Sequence, residues 1–234
     1  MILNSLQPIT ILIVDDHKLV RSGLSRMIND ERDLQVIGES NTGEESIEFC
    51  VHKRVPDIVL MDARMPGIGG IEATLRLLKI YPKLRIIAMS AVANGVIPSQ
   101  MLRSGAKAFI TKNIELDEML KAIRVVHAGQ HYVTSDAAIR MATDPFNLAQ
   151  DLIFDKLSRR EMQIAQMLTD GKKVSQISAS LVLSPKTVYS YRYRIFEKLG
   201  IQSDVELTIL AVKYGLSEEF SDFGESLSLE RAAS

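Results

Sequence analysis

Residues 58–67 read IVLMDARMPG: four apolar residues run straight into one acid, Asp62, and Pro66-Gly67 then breaks the chain. A buried-type strand that ends on a carboxylate carries that carboxylate to the edge of a sheet. Asp62 is then either a solvated turn residue or a reactive group on a rigid support. The segments on either side bear on the choice.

Upstream, residues 9–16, ITILIVDD, form another short β-branched run that ends on acids, Asp15 and Asp16. The next segment, LVRSGLSRMI, puts Leu19, Val20, Leu24, Met27 and Ile28 on one helical face. LQVIGES is a strand and GEESIEFCVHKR a helix. After the quoted stretch come helical GIEATLRLLKIY, then the strands LRIIAMSA and KAFITK, separated by the Pro-marked PSQMLRSGA. IELDEMLKAIRVVHAG closes the series, with Leu116, Leu120, Ile123 and Val126 or His127 along one side. Five strand-helix units in alternation predict an α/β fold with a parallel sheet covered on both faces. In such sheets function collects at the carboxyl ends of the strands. Asp15, Asp16, Asp62, Ser90 and Lys112 all stand at strand ends. Three carboxylates on one edge repel one another, and a divalent cation such as Mg²⁺ relieves that repulsion. A lysine and a hydroxyl beside them suit a phosphoryl group. Polar strand ends without a ligand are the structural alternative.

In combination the DD pair, the D-x-x-M-P-G run, the MSA segment and FITK resemble the receiver domain of bacterial response regulators, over residues 8–128. The resemblance implies a flavodoxin-like fold with a five-stranded parallel sheet. It makes Asp62 the acceptor of a phosphoryl group from a sensor histidine kinase. It implies a Mg²⁺ site of Asp16, Asp62 and the Arg64 backbone carbonyl, with Asp15 acting mainly through water. Lys112 pairs with the acyl phosphate, and Ser90 and Phe109 act as the switch.

The second half contains no strand run. Residues 157–216 read as four helices. Ser158 and Glu161 have capping-box spacing, Gly171 ends the first helix and VSQISASL is the second. VLS is a tight turn, Ser184 caps the third helix with Pro185 at its first position, and Gly200 stops it. Ser203 or Asp204 starts the last. Two short helices joined by a tight turn are what a helix-turn-helix needs. On the third helix Val188, Tyr191, Ile195, Phe196 and Leu199 make an inner face, and Lys186, Tyr189, Ser190, Tyr193, Arg194 and Glu197 an outer one rich in donors. Residues 155–216 carry ten basic and six acidic residues, residues 217–234 one and five, and the remainder is near neutral. A basic module beside a neutral one suggests a polyanion partner. The last helix bears Leu207, Leu210, Ala211 and Tyr214, a candidate pairing surface.

This half resembles the four-helix DNA-binding domain of the LuxR type found in NarL/FixJ response regulators, and SPKTVYSYRYRIFEKLGI with DVELTILAVKYGL is similar to the GacA/UvrY/LetA branch. The implied protein binds double-stranded DNA as a homodimer and regulates transcription, activating small regulatory RNA genes, with RNA polymerase as a further partner. By position Tyr189, Ser190 and Tyr193 face bases, and Lys186, Thr187 and Arg194 hold phosphates. Arg192 lies toward the inner edge.

Residues 129–154 read as a linker, with a short helix from Thr134-Ser135 and a break at Pro145. The Ser- and Glu-rich residues 217–234 read as a disordered acidic tail. The one cysteine, Cys50, excludes an internal disulfide and reads as a core residue in a reducing compartment. The N-terminus lacks a secretory pattern, and no apolar run approaches the roughly 18 residues of a membrane span, so the expected place is the cytoplasm, away from membranes. Two rivals remain. A phosphoenzyme hydrolase would want D-x-D after its first strand, where this chain has D-D-H. A phospho-switched adaptor would use the helical half to bind protein.

Overall fold

The computed structural model describes residues 7–91, 96–134, 153–154, 156–214 and 216. The chain divides into two compact units, each described by itself.

Along residues 9–133 strands and helices alternate: β1 (Ile9–Val14), α1 (Lys18–Asn29), β2 (Leu34–Ser40), α2 (Gly43–His52), β3 (Ile58–Asp62), α3 (Gly69–Ile80), β4 (Arg85–Ser90), α4 (Val96–Arg103), β5 (Ala108–Thr111), α5 (Leu116–His127) and β6 (Tyr132–Val133). All six strands pair in parallel, in the order β2-β1-β3-β4-β5-β6. Every residue of β1 and β3 is buried, which needs cover on both faces. On one face Ile11, Ile13, Leu60, Ile87 and Ile110 form a core with Leu24 and Ile28 of α1 and Leu120, Ile123 and Val126 of α5. Alternation along the strands turns Leu12, Val59, Met61, Ile86 and Phe109 to the other, and all five are fully buried.

The five βα units match the hydrophobic periods of the sequence, with two corrections. The sheet has a sixth strand, β6, inside the segment read as linker. Two residues are too few to show a period. The Tyr132 N–H donates to the Lys107 carbonyl at 3.1 Å, and its hydroxyl donates to Glu118 Oε1 at 2.9 Å. The buried stripe of α1 is also narrower than expected: Leu24 and Ile28 are buried and Val20 packs against the core, but Met27 is exposed and Leu19 is 87% exposed. The i, i+4 row Val20–Leu24–Ile28 faces the sheet, and Leu19 lies one helical step off it. Of the helix read from Thr134-Ser135 only Thr134 is described, and it is buried; the rest of that helix, the break at Pro145 and the tail of residues 217–234 lie outside the described residues.

Cys50, on the inner side of α2, is buried, and burial pushes its thiol up to about 11. Among the described residues no helix is long and apolar enough to cross a membrane.

The second unit contains α6 (Arg159–Thr169), α7 (Val174–Leu181), α8 (Pro185–Leu199) and α9 (Asp204–Lys213). The starts of α6, α8 and α9 are those the caps predict. Ser158 and Glu161 form a reciprocal capping box, Ser184 Oγ accepts the Thr187 N–H at 3.1 Å ahead of Pro185, and Ser203 Oγ accepts the Glu206 N–H at 3.2 Å. Gly171 and Gly200 follow α6 and α8 with φ of 71° and 68°. The turn between α7 and α8 passes through Val182 in the left-handed conformation, φ 52° and ψ 48°. Ile164, Ala165, Ile177, Val188, Ile195, Leu207 and Ala211 are fully buried. Leu207 and Ala211 are therefore internal, Leu210 is half-buried and Tyr214 stands edge-on to Phe154. The exposed apolar pair on α9 is instead Val205 and Ile209, 69% and 60% exposed, at i, i+4 spacing.

Candidate functional site: an acidic sheet edge and a basic helix

In the first unit the strand order reverses between β1 and β3, the switch point where open α/β sheets bind ligands. Val14 pairs with Met61, so Asp15 emerges beside Asp62. Asp62 pairs with Met89, which puts Ser90 one residue further out on β4. Ser90 pairs with Thr111, and Lys112 follows, its N–H donating to the Ser90 carbonyl at 2.7 Å. Register alone thus delivers Asp15, Asp62, Ser90 and Lys112 to one edge.

Lys112 Nζ lies 2.7 Å from Asp62 Oδ2 and 2.8 Å from Asp15 Oδ2. The other Asp62 oxygen accepts the Arg64 N–H at 3.1 Å. Asp15 and Asp62 are buried, and Asp16 is exposed. Burial pushes the Asp62 carboxyl up to about 7, against the pull of the Lys112 ammonium and with a smaller upward push from Asp15. Burial acts to lower the Lys112 pKa and is its largest single influence, but Asp62 and Asp15 together outweigh it and the net displacement is upward. With the carboxylates of Asp15, Asp16 and Asp62 set against the one ammonium of Lys112, the edge is short of positive charge.

The donor set fits a hard cation. Ligand atoms of Asp15, Asp16, His17 and Asp62 all lie within 4.8 Å of one another. Asp15 Oδ2 is buried, with Lys112 Nζ 2.8 Å away. One ammonium contact leaves lone pairs of that oxygen open, and a carboxylate oxygen in that condition suits Mg²⁺.

Ser90 is buried at the end of β4, and Phe109 of β5 has no exposed surface. Two neighbours were not singled out in the sequence. His17 Nδ1 stands 2.9 Å from Asp16 Oδ1 and 3.3 Å from Asp15 Oδ1; its position directly after the acid pair was the available signal. Arg21 Nη1 donates to the Asp15 carbonyl at 2.5 Å and anchors the turn that carries both acids. No local pattern distinguishes Arg21 from a surface arginine.

In the second unit α8 follows the turn at Val182 with Val188 and Ile195 inward. Lys186, Tyr189, Ser190, Tyr193, Arg194 and Glu197 are exposed and Thr187 is half-buried, so the outer face is the one expected. Tyr189 and Tyr193 are 55% and 69% exposed one turn apart. The Ser190 hydroxyl donates to the Lys186 carbonyl at 3.0 Å, which leaves it an acceptor outward. Arg192 turns away from this face, into a bidentate pair with Asp204 and over the Phe196 ring.

Known proteins match both units. Residues 11–124 match the response regulator receiver domain, and residues 155–211 match the bacterial regulatory proteins of the luxR family. The response regulator GacA of Pseudomonas protegens is 48% identical over 208 residues, covering 89% of this chain and 97% of that protein. UvrY of Escherichia coli strain K12 is 44% identical over 209 residues, covering 89% and 95%. Among solved structures, RcsB from Salmonella enterica serovar Typhimurium bound to promoter rprA shares the fold with a TM-score of 0.66 at 21% identity, over 87% of this chain and 98% of that one. These matches set aside the phosphoenzyme hydrolase. With an acidic receiver edge in one unit and a helix-turn-helix in the other, the chain belongs to the LuxR-family response regulators, DNA-binding regulators of transcription rather than enzymes.

Proposed function

We propose that Asp62 is the phosphoacceptor, within a receiver of residues 8–128, and that it takes its phosphoryl group from a phosphohistidine of a sensor kinase in the cytoplasm. A carboxylate oxygen of Asp62 attacks phosphorus, the P–N bond breaks, and the imidazole leaves with the bonding pair. The observation that carries this reading is the clamp on Asp62 at the switch point, where Lys112 holds one oxygen and the Arg64 N–H the other. Lys112 then pairs with the acyl phosphate. Asp16, Asp62 and the Arg64 carbonyl would hold Mg²⁺, with Asp15 acting through water. When bound, the ion supplies positive charge to an edge crowded with carboxylate and phosphoryl oxygens. Ser90, next in line beyond the Asp62 register, bonds a phosphate oxygen and moves together with Phe109.

Through residues 155–216 the chain binds duplex DNA, with Tyr189, Ser190 and Tyr193 toward bases and Lys186, Thr187 and Arg194 on phosphates. The exposure of these side chains along α8 supports the assignment. Two copies pair through the Val205 and Ile209 side of α9. RNA polymerase is a further partner of the DNA-bound form.

Labelled acetyl phosphate with Mg²⁺ tests the acceptor. Asp62→Asn abolishes uptake, and Asp16→Asn lowers it. Equal labelling of Asp62→Asn and wild type would sink the assignment.

A further inference from the structure

The loop that follows Asp62, residues 63–68, is gripped from outside the site by a residue assigned no role above. Glu44 lies in the first turn of α2. The cap of that helix is already made, because Thr42 Oγ1 accepts the Glu45 N–H at 3.2 Å. Glu44 instead reaches across to the loop, where its Oε1 accepts the Ile68 N–H at 3.0 Å. The loop is shaped to receive it. Gly67 has φ 80°, and a Cβ there would stand 2.5–2.9 Å from the Glu44 carboxylate atoms. A Cβ on Gly43 would stand 2.8 Å from both Ile68 Cγ1 and Ala73 Cβ, so the first turn of α2 seats directly on the loop's end. At the inner end Gly70 lets α3 approach so closely that any Cβ would strike the Asp62 carbonyl oxygen.

The inner end of this loop is anchored through two N–H groups, Ala63 donating to the Met89 carbonyl at 2.8 Å and Arg64 to Asp62 Oδ1, which leaves the Arg64 carbonyl on the span that runs out to Ile68. The outer half has Glu44. A favourable interaction with the helix dipole explains an acid in the first turn of α2. It does not explain why this carboxylate leaves its own helix for a backbone N–H at position 68, or why the loop clears a glycine for it. A charge-assisted bond to backbone N–H is among the stronger ways to hold a loop.

We propose that Glu44 is a positioning residue for phosphorylation: by fixing residues 63–68 from α2, it holds the Arg64 carbonyl in place for the cation shared by Asp16 and Asp62. This rests on the cation site proposed above. Residues that orient metal ligands typically cost 10–100-fold in affinity when removed. Glu44 acts through a backbone segment, so the lower end of that range, about tenfold, is expected.

The test uses the full chain as wild type, Glu44→Ala and Glu44→Gln. Three quantities are measured: the Mg²⁺ dissociation constant by calorimetry, the Mg²⁺ concentration giving half-maximal labelling from acetyl phosphate, and the melting temperature in EDTA. Glu44→Ala should raise both Mg²⁺ quantities about tenfold, with a smaller effect on labelling at saturating Mg²⁺ and little change in the metal-free melt. Glu44→Gln keeps an acceptor for Ile68 and should recover most of the loss. Unchanged Mg²⁺ affinity in Glu44→Ala would overturn the inference, as would a Gln variant no better than Ala. Failure of the wild-type chain to bind Mg²⁺ would instead remove the cation site itself, and this role with it.

Discussion

Arg192 and Asp204 are joined by two hydrogen bonds, Nε to Oδ1 at 2.7 Å and Nη2 to Oδ2 at 2.6 Å. The pair ties α8 to the first turn of α9 and engages one of the two arginines of α8 within the unit. Arg192→Ala should lower stability by about 1 kcal/mol, as befits a partly exposed pair, and leave the salt dependence of binding to a duplex unchanged. Arg194→Ala should do the reverse, reducing the slope of log K against log salt by about 0.9 with little change in the melt. Equal slopes for the two variants would contradict the assignment of Arg192 to the fold.

Lys112 is the positive charge between Asp15 and Asp62. Lys112→Ala leaves two buried carboxylates facing each other. Protonation of Asp62, already displaced upward, relieves part of that cost. A loss of about 2–3 kcal/mol in EDTA is expected, below the full penalty for an orphaned buried charge. Mg²⁺ should restore more stability to this variant than it adds to wild type. Melts of both chains in EDTA and in MgCl₂ provide the comparison, and equal increments would count against a cation at this edge.

Val182 is a β-branched residue in the left-handed region, and its side chain is 91% exposed. It makes no packing contribution that would offset a backbone cost of about 1–2 kcal/mol. Val182→Asn or Val182→Gly should therefore stabilise the chain by about 0.5–1 kcal/mol, Gly losing part of its gain to unfolded-state entropy. Chemical denaturation reads this directly. A destabilised Asn variant would show that the valine side chain holds the turn.

Glu161 closes the capping box of α6 and accepts Lys198 Nζ at 2.6 Å from the end of α8. Burial works to raise its pKa and is the largest single influence, but the bonds from Lys198 and Ser158 outweigh it and hold the carboxyl below its ordinary 4.5. A lowered carboxyl contributes stability that is present above the unfolded value and lost as pH falls through the folded one. Glu161→Gln should therefore cost about 1–2 kcal/mol at neutral pH, with the difference from wild type closing below pH 4.5. A gap that stayed constant to pH 3 would mean that the charge plays no part.

Ile209 and Val205 present an apolar stripe on α9 that stays exposed among the described residues. Ile209→Glu should leave the fold intact and abolish paired half-site protection in footprinting, because a charge would then face its own copy across a two-fold axis. Retained pairing would move the dimer contact elsewhere.

The acidic edge was legible because β3 ends on its acid and β1 runs directly into its pair, and a parallel sheet brings such ends together whatever lies between. The caps of the second unit were legible for a related reason: Ser158, Ser184 and Ser203 act within three residues of themselves. Interactions between distant segments were not. Glu44 meets Ile68 across 24 positions, and nothing local marks it out from Glu45 beside it. Likewise α1 offered five apolar positions for a stripe, and only packing shows that Leu19 is not among those used. β6 was illegible because a two-residue strand has no period to read.

The chain's single thiol gives the receiver an internal clock. Cys50 is shielded in α2 and its thiolate form is suppressed by burial. An alkylating reagent can reach a buried thiol only when its surroundings open, so the rate of Cys50 modification should count openings around α2. Since α2 also carries Glu44, the same clock should report how firmly the loop after Asp62 is backed, in a chain that needs no engineered residue.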